Sequence, residues 1–478
     1  MVIRDSTFTS NRGGPVLFTV VDQDATYTRL TFRDNIGGPK FPGADLCVHT
    51  TDTTVSECDF SNSRGGTEDG KQSGAMMVRG GAYLRVLDSA FEDTNSPNGD
   101  GGAVAVIEGS TAEFFRTTFE RSEAPQAGGI AAIKEESYVL FDQCVLREGH
   151  APRSGGIYNT QSIVNITRST FAYNIAISGW GGAIGTYGDV FIQDSTFEHN
   201  EATTYGGDVL VSGGAHVEVV RTVFKGARAA TYGGSISAEG GGSSTRLTDS
   251  TFLGAQAVAS SGGLARLSLG SRAEFVRCSV SATTSPTSVF QLDDPGSSLS
   301  ILDSVIANIT QGTVIIDDTT GDEFATQLDL VTFDASNTIP ALRSVSTMLV
   351  QSCDGLEPSD VSDASVGVCA TTTQFCMSAA CDDATVGIDC FCFLDGVTPT
   401  TEPLPAGCMN SGELAMTVPS SLELRLDVEK PGNATQEARA ARIKTERAPV
   451  ACTSDHPPHT HPRLPRADGA RQHRLRAA

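Results

Sequence analysis

Residues 169–184 are STFAYNIAISGWGGAI, and the chain repeats their pattern 26 residues later as STFEHNEATTYGGDV at 195–209. Both stretches carry Phe-x-x-Asn and then a Gly-Gly pair that precedes small or branched apolar residues. A single active site needs no such repetition, whereas a stack of similar coils does, because each coil must present the same residue to its neighbour. The stretch therefore predicts a solenoid.

The Phe of the D-S-T-F motif, called here the reference position, repeats with spacings of 24 to 31 residues, mostly 26 to 28. The thirteen positions are Phe8, Phe32, Phe60, Phe91, Phe119, Val145, Phe171, Phe197, Phe224, Phe252, Val280, Ile306 and Phe333. Five residues before each of them the chain is always apolar, at Ile3, Tyr27, Val55, Val86, Phe114, Leu140, Ile166, Ile192, Val219, Leu247, Phe275, Ile301 and Leu328. Most residues seven before are apolar as well.

This spacing predicts short strands separated by corners. Positions −7 and −5 share one face of a strand, because side chains alternate with a period of two. Positions −5 and 0 differ by an odd number, so both face inward only if a corner lies between them. Because no helical periodicity is present, we expect an all-β, right-handed parallel β-helix of about 12–13 coils.

The glycines and asparagines fit the corners of such coils. Gly-Gly pairs stand at 101–102, 128–129, 155–156, 181–182, 206–207, 233–234 and 262–263. Glycine at these points permits positive φ and close stacking of one backbone on the next. The Asn residues of Phe-x-x-Asn are Asn11, Asn35, Asn174 and Asn200, and their amides can bind backbone or the equivalent Asn one coil away.

The segments FTSN, FRDN, FAYN and FEHN, with GGAV, GGIY and GGAI, resemble the repeats of the chlamydial polymorphic outer membrane proteins. Similar repeats occur in large surface proteins of algae and other protists. The resemblance covers about residues 1–340 and implies a pectin-lyase-like β-helix, but it does not imply one particular function. The barrel of the autotransporter family is not found in this sequence, so the resemblance does not imply membrane insertion.

Three residues before the reference position, acids and arginines alternate through nine coils. The residues are Asp88, Arg116, Asp142, Arg168, Asp194, Arg221, Asp249, Arg277 and Asp303. Neighbouring coils lie about 4.8 Å apart, so we expect each charge to lie between two opposite charges on an exposed corner. The pattern predicts a continuous structural ladder of ion pairs, and chance alternation is the weaker alternative.

The same ladder bears on whether the protein is an enzyme. Glycoside hydrolysis needs two carboxylates roughly 5–9.5 Å apart, and here the most regular acids face arginines. The remaining candidates are Asp22, Asp24 and the pairs at 293–294 and 317–318. We interpret them as turn acids or weak calcium ligands without a partner, and we expect no other cofactor.

The C-terminal part departs from the repeat, so we divide the chain into 1–345 (β-helix), 346–410, 411–437 and 438–478. The second segment holds seven cysteines, and it is predicted to be a small disulfide module rather than a zinc site. They are Cys353, Cys369, Cys376, Cys381, Cys390, Cys392 and Cys408. The third segment alternates like the start of a β-sandwich that is cut short, and the fourth is a basic tail, either disordered or a gene-model artefact.

The predicted disulfides and three glycosylation motifs favour an extracellular protein. N-x-T motifs begin at Asn165, Asn308 and Asn433. Cys58, Cys144 and Cys278 lie near the reference position and are expected to be buried thiols. The chain opens directly on repeat sequence, which we interpret as a truncated or mis-predicted N-terminus.

The charge is unevenly distributed along the 478 residues. Residues 438–478 hold 9 Lys and Arg against 3 Asp and Glu, so the net charge of −23 divides into +6 for this tail and −29 for the rest. An acidic body argues against nucleic acid as a partner. No apolar run approaches the roughly 20 residues that a transmembrane helix needs.

These observations lead to three hypotheses. The first is a non-enzymatic, extracellular or cell-surface β-helix with an adhesive or spacer role, whose partners are cell-surface glycans or proteins. The second is a polysaccharide-active lyase or glycoside hydrolase of the same fold. The third is the ectodomain of a larger membrane-anchored, receptor-like protein.

Overall fold

The computed structural model divides the chain into two units, Met1–Val418 and Pro419–Ala478. It describes residues 1–20, 24–38, 43–66, 73–318, 326–334, 336–338, 342–344 and 348–351, and short strands at 374–377, 390–391 and 408–409. The described residues form strands, turns and bends without any helix. Their strands stack in parallel register as a β-solenoid of about 12 coils, which confirms the predicted fold class.

Each complete coil contributes one strand to each of three faces, called A, B and C in chain order. Face A comprises Leu17–Val20, Leu46–His49, Met76–Arg79, Val104–Val106, Ala131–Ile133, Val209–Ser212, Ile236–Glu239, Ala265–Ser268, Ser288–Leu292, Thr313–Asp317 and Leu342–Ser344. Face B comprises Asp52–Ser56, Tyr83–Leu87, Thr111–Phe115, Tyr138–Asp142, His216–Val220, Ser244–Thr248, Arg272–Val276, Ser298–Leu302, Thr326–Asp329 and Met348–Gln351. Face C comprises Asp59–Ser61, Ala90–Glu92, Thr118–Glu120, Val145–Arg147, Thr170–Ala172, Thr196–Glu198, Val223–Lys225, Thr251–Leu253, Ser279–Ser281, Val305–Ala307 and Thr332–Phe333.

Four longer strands join neighbouring faces. Val2–Thr9 and Ala25–Arg33 run along faces B and C, whereas Ile157–Thr167 and Ile184–Gln193 run along faces A and B. Short strands follow face C in five coils, at His150–Ala151, Ile175–Ala176, Glu201–Ala202, Arg228–Ala229 and Gln256–Ala257. Beyond the coils, Gln374–Met377 pairs antiparallel with Met348–Gln351, and Cys390–Phe391 pairs with Cys408–Met409.

The main core is a continuous apolar cluster from Ala25 to Leu342, and a second, small cluster contains Cys47, Met77, Ala105 and Ile107. The reference residues of face C stack directly on one another: Phe171, Phe197, Phe224 and Phe252 are buried, with ring centroids 4.7–4.9 Å apart. This column confirms the prediction drawn from the spacing.

One coil departs from the predicted register. Phe119 pairs with Leu146, which is fully buried, rather than with Val145. The inward residue of face B in this coil is therefore Phe141 rather than Leu140, and it packs on Phe114 at 5.2 Å. Two adjacent apolar residues stand at this point, and only the pairing between coils decides which of them faces inward.

The predicted corner between faces B and C is present and is made by a single residue. The residue three before the reference position has a φ of about +50° in coil after coil, as at Asp88, Arg168 and Asp194. The next residue is usually a buried Ser, Thr or Cys. Its side-chain oxygen or sulfur accepts the N–H of the same position one coil earlier, as Ser195 does from Ser169 at 3.1 Å and Cys58 from Leu30 at 3.3 Å. The D-S-T-F motif thus encodes a left-handed corner residue, a polar ladder and a core residue.

The Gly-Gly pairs form the corner before face A, as predicted. The first glycine has positive φ, for example 65° at Gly181, and the second leaves no room for a side chain. A Cβ atom on Gly182 would lie 2.1 Å from the carbonyl oxygen of Gly207 in the next coil. In one coil the pair is shifted, because Ser154 takes the positive φ and Gly155 the close contact.

The chain beyond the coils is only sparsely described. Parallel pairing continues to Met348–Gln351, slightly past the predicted boundary at 345. Segments 411–437 and 438–478, for which a truncated sandwich and a basic tail are predicted, lie outside the described residues.

Candidate functional site

The charged column lies on the corner between faces B and C, where eight of its nine predicted members have positive φ. Each arginine binds the acid of the preceding coil, with Nε and Nη2 donating to one carboxylate. The distances are 2.5 and 2.8 Å for Arg116 on Asp88, 2.7 and 3.0 Å for Arg221 on Asp194, and 2.6 and 2.9 Å for Arg277 on Asp249. The hydrogen bonds to Arg221 lower the pKa of Asp194 to about 2.

Each arginine is hydrogen-bonded to only one of its two neighbouring acids, and the acid of the following coil acts on it by Coulomb attraction alone, which raises the pKa of the guanidinium further. Among the described side chains, no ion pair joins Arg116, Arg168, Arg221 or Arg277 to the acid of the following coil. Asp303 also forms no ion pair with a described residue, and the next corner residue is the exposed Leu330. The alternation of acids and arginines therefore places a hydrogen-bonded ion pair between every second pair of neighbouring coils.

Asp142 is the member that does not stand at the corner. Because Leu146 is the inward residue of this coil, the corner position with positive φ is Gln143. Asp142 lies one residue earlier, at the end of a face B strand, and still binds Arg168 at 2.6 Å and the Thr167 hydroxyl at 2.8 Å.

Sequence analysis missed further ion pairs at the next corner, after face C. Arg121 has positive φ there and binds Asp93 at 2.8 Å as well as Glu92 and Glu120. Arg228 binds Glu201 of the preceding coil at 2.5 Å. Asp93 and Arg121 stand two residues after the reference position, whereas Glu201 and Arg228 stand four residues after it, in the short strands that follow this corner. The signal in the sequence was a pair of opposite charges separated by one coil.

Two carboxyl groups are buried in the interior beside the Asn residues of the repeat. Asn200 donates to the Phe171 carbonyl at 3.1 Å and to Asp208 at 2.9 Å, and its oxygen accepts from Asn174 at 3.0 Å. Asn35 donates to Asp45 in the same way at 2.8 Å. Burial raises the pKa of both carboxyls to about 7. Asp208 and Asp45 were not among the predicted site residues.

Four of the six acids predicted to stand alone have partners in the structure. Asp22 lies outside the described residues, and Asp24 accepts the terminal amino group of Met1 through its main-chain oxygen. Asp293 binds Arg266 at 2.5 Å, and Asp318 accepts from Gln291 at 3.0 Å. Asp294 accepts the N–H of Leu269 at 3.2 Å, while the buried Asp317 accepts from Thr326 at 2.7 Å. For these four acids, the interpretation that they lack a partner was therefore wrong. Most of their partners lie in a neighbouring coil, far away along the sequence.

Aromatic side chains form a row before face A. Trp180, Tyr205 and Tyr232 are aligned by successive coil-to-coil bridges, and the two tyrosine rings stack at 5.5 Å. The guanidinium of Arg266 covers the Tyr232 ring at 4.3 Å, and Arg153 lies 5.5 Å from the Trp180 ring. The stacking face of Tyr232 is thus occupied within the protein, which favours a packing role for this row.

A trough of about 420 Å³ lies on the outer side of face B, across the five coils from His216 to Gln327. Two outward rows line it: His216, Ser244, Arg272 and Ser298 in one, and Arg246, Glu274, Ser300 and Gln327 in the other. The trough exists because serines replace larger residues, such as Tyr138 and Ile163, that occupy the same row in earlier coils.

The polar groups of the trough differ in how far they are already bonded. His216 Nδ1 lies 2.8 Å from the Ser244 hydroxyl, and Arg246 lies 3.3 Å from Glu274. The exposed Arg272 side chain makes no ion pair or hydrogen bond with any described residue. The trough therefore contains one guanidinium, that of Arg272, whose N–H groups bind no described residue, and serine hydroxyls surround it.

The structure places the cysteine and glycosylation candidates as follows. Cys47, Cys58, Cys144 and Cys278 are buried free thiols, as predicted for the last three. Cys353, Cys369, Cys381 and Cys392 lie outside the described residues, and Cys376, Cys390 and Cys408 are described as strand backbone only, so the disulfide module stays a prediction. Asn165 is half-buried in a strand and binds the Tyr138 hydroxyl at 2.9 Å, Asn308 is exposed at a corner, and Asn433 is not described.

The described residues provide neither a cluster of metal ligands nor a membrane-spanning helix. Within the described ranges, no group of three or more His, Cys, Asp or Glu side chains is placed to hold a metal ion. The same part of the chain contains no helix of the length and apolarity that a membrane span requires.

No protein-family model, curated protein or solved structure matches the chain. The fold and its coil-to-coil contacts thus define the class, which is a parallel β-solenoid repeat protein.

Proposed function

We propose that the protein is a non-enzymatic, extracellular or cell-surface β-solenoid that acts as an adhesive or spacer module. The observation that carries this proposal is the uninterrupted stack of about 12 coils over one core. At about 4.8 Å per coil, the stack is a rod of roughly 55–60 Å with three flat faces. Such a rod holds its two ends apart and offers long surfaces to partners such as cell-surface glycans or proteins.

We further propose which type of β-solenoid this is. The repeat motifs support a right-handed, pectin-lyase-like β-helix related to the polymorphic outer membrane proteins. The paired charges at the corners support a structural use of the recurring acids, because bidentate pairs between coils fix their register. A longer parent protein that is anchored in a membrane is compatible with the same role.

One observation keeps a polysaccharide-active enzyme as the second candidate. The N–H of Asp318 donates to the Leu292 carbonyl, so Asp318 lies one coil after Asp293 at the end of face A. Adjacent coils can hold two carboxylates at the separation that glycoside hydrolysis uses. Against this role, Arg266 and Gln291 bind the two acids.

The test combines localisation with a search for products. Antibodies against the chain should label intact, unpermeabilised cells of the source organism. The purified full chain should release no reducing ends or unsaturated sugars from a panel of acidic and neutral polysaccharides. Product release that is lost in Asp293→Asn or Asp318→Asn would replace the proposal with the enzyme, and labelling only after permeabilisation would contradict the surface location.

A further inference from the structure

We infer that the trough on face B is a binding site for acidic polysaccharides, with Arg272 as the residue that binds the carboxylate of a sugar unit. This inference rests on the adhesive half of the proposed function and names a ligand class for it. The main observation behind it is that Arg272 has no acidic partner, whereas the arginines near it do. Arg246 is paired with Glu274, and Arg277 is paired with Asp249, whereas Arg272 has no described partner.

The surroundings of Arg272 suit a carboxylate held by a planar fork. Its neighbours in the same row are Ser244 in the preceding coil and Ser298 in the following one. Both are small, so the guanidinium is accessible from both sides along the solenoid axis. A guanidinium with free N–H donors binds a carboxylate through two parallel hydrogen bonds, which fix both position and orientation.

The local charge favours an anion despite the acidic body. Arg246 and Glu274 offset each other, so Arg272 leaves the lining with one net positive charge when His216 is neutral. Glu218 precedes Arg246 in the second row and limits the favourable potential on the N-terminal side. The net charge of the chain is −23, so long-range attraction is absent and recognition depends on short contacts.

The rest of the lining fits a saccharide better than a peptide. The hydroxyls of Ser298 and Ser300 are half-buried and make no hydrogen bond with a described residue, and the exposed Gln327 adds an amide. These groups match the hydroxyl-rich edge of a sugar. Peptide recognition relies on apolar anchor residues in desolvated pockets, whereas this trough is open and its outward side chains are polar.

The direction of the trough also fits a polymer of sugars. The lining extends over the coils of His216, Ser244, Arg272, Ser298 and Gln327, so it is roughly 20 Å long along the axis. The spacing of the coils is comparable to the length of one pyranose unit. Successive sugars can therefore meet successive coils, with one carboxylate at Arg272.

The experiment measures binding of the full chain to an alginate tetrasaccharide by calorimetry. The carboxyl-reduced tetrasaccharide and tetraglutamate are the matched ligands. We expect the acidic sugar to bind at least about ten times more tightly than either, since charge-assisted hydrogen bonds are the stronger kind. Arg272→Ala should weaken binding by a similar factor, Arg272→Lys should restore part of it, and Arg33→Ala, which removes an exposed charge from face C, should change nothing.

Each possible result bears on one claim. Thermal unfolding of Arg272→Ala at the wild-type temperature excludes misfolding as the cause of lost binding. Binding that survives Arg272→Ala, no binding at millimolar sugar, or tetraglutamate bound as tightly as alginate would each overturn the site. Cleavage of alginate by a chain that binds through Arg272 would overturn the non-enzymatic function and leave the site standing.

Discussion

At the scale of single residues, the buried carboxyls show how the fold changes the chemistry of a side chain. Asp208 is fully buried and held by Asn200 and by the Ser235 hydroxyl at 2.7 Å. Burial raises its pKa from the usual 3.8 to about 7. Between these values the folded chain holds a proton that the unfolded chain has lost, so the free energy of unfolding falls as pH rises from about 4 to 7.

Asp208→Asn should therefore stabilise the protein at neutral pH. The amide keeps both hydrogen bonds, accepting from Asn200 and donating to Ser235, and it carries no charge to desolvate. We expect a gain of roughly 1–4 kcal/mol at pH 7.5 and little change at pH 4, measured by urea unfolding at both values. The exposed Asp59→Asn is the control for formal charge. An Asp208→Asn chain with the wild-type loss of stability between pH 4 and 7 would show that this carboxyl is not the cause.

Individual residues also show which positions of the fold could be predicted from the sequence and which could not. Phe197 and Gly182 were predictable, because a column of identical residues at one spacing has one physical explanation, the stacking of coils. Leu146 was not, because Val145 is equally apolar and only the pairing with Phe119 and Phe171 chooses between them. Arg272 was missed for a different reason: outward positions follow no hydrophobic pattern, so its neighbours emerge only from the register.

At the scale of the strand and its corner, inward and outward side chains of faces B and C contribute very differently to the free energy of unfolding. Phe197 is 0% exposed between Phe171 and Phe224, whereas Phe191 is 38% exposed on face B. Phe197→Ala should cost roughly 3–5 kcal/mol of unfolding free energy, because it leaves a cavity in the stack. Phe191→Ala should cost well under half as much, and equal losses in denaturant titrations would refute the assignment of faces.

The corner pairs permit a sharper test, since Asp194 has an arginine on each side. It binds Arg221 through two hydrogen bonds but forms no ion pair with Arg168. We expect a double-mutant cycle with Asp194→Asn and Arg221→Gln to show a favourable coupling that decreases with salt. The cycle with Asp194→Asn and Arg168→Gln should show less. Equal couplings would restore the continuous ladder that the sequence alternation predicts.

At the scale of the whole molecule, the coils are built so that each contacts only its neighbours. Such arrays are stabilised by the sum of coil and interface terms, and they tolerate the loss of an internal repeat. The register gives the ends of one repeat: Thr196 pairs with Val223 and Phe197 with Phe224. Removing residues 196–222 therefore joins Ser195 to Val223 without changing which side chains face inward.

The deleted chain should fold and unfold cooperatively, with a denaturant slope reduced in proportion to the lost surface. Phe171 then stacks on Phe224, and Gly182 contacts Gly234. The column of phenylalanines and the column of glycines therefore both stay continuous across the deletion. The cost falls on the corner, where Asp194 loses Arg221 and gains Asp249 as its neighbour, and on the buried Asn174, whose partner Asn200 is replaced by Ala227. Removing residues 196–208 is the matched control, because it places Val209, a face A residue, where face C should begin. Circular dichroism and urea titration distinguish the two, and a whole-coil deletion that fails as the half-coil deletion does would mean that the coils are not interchangeable units.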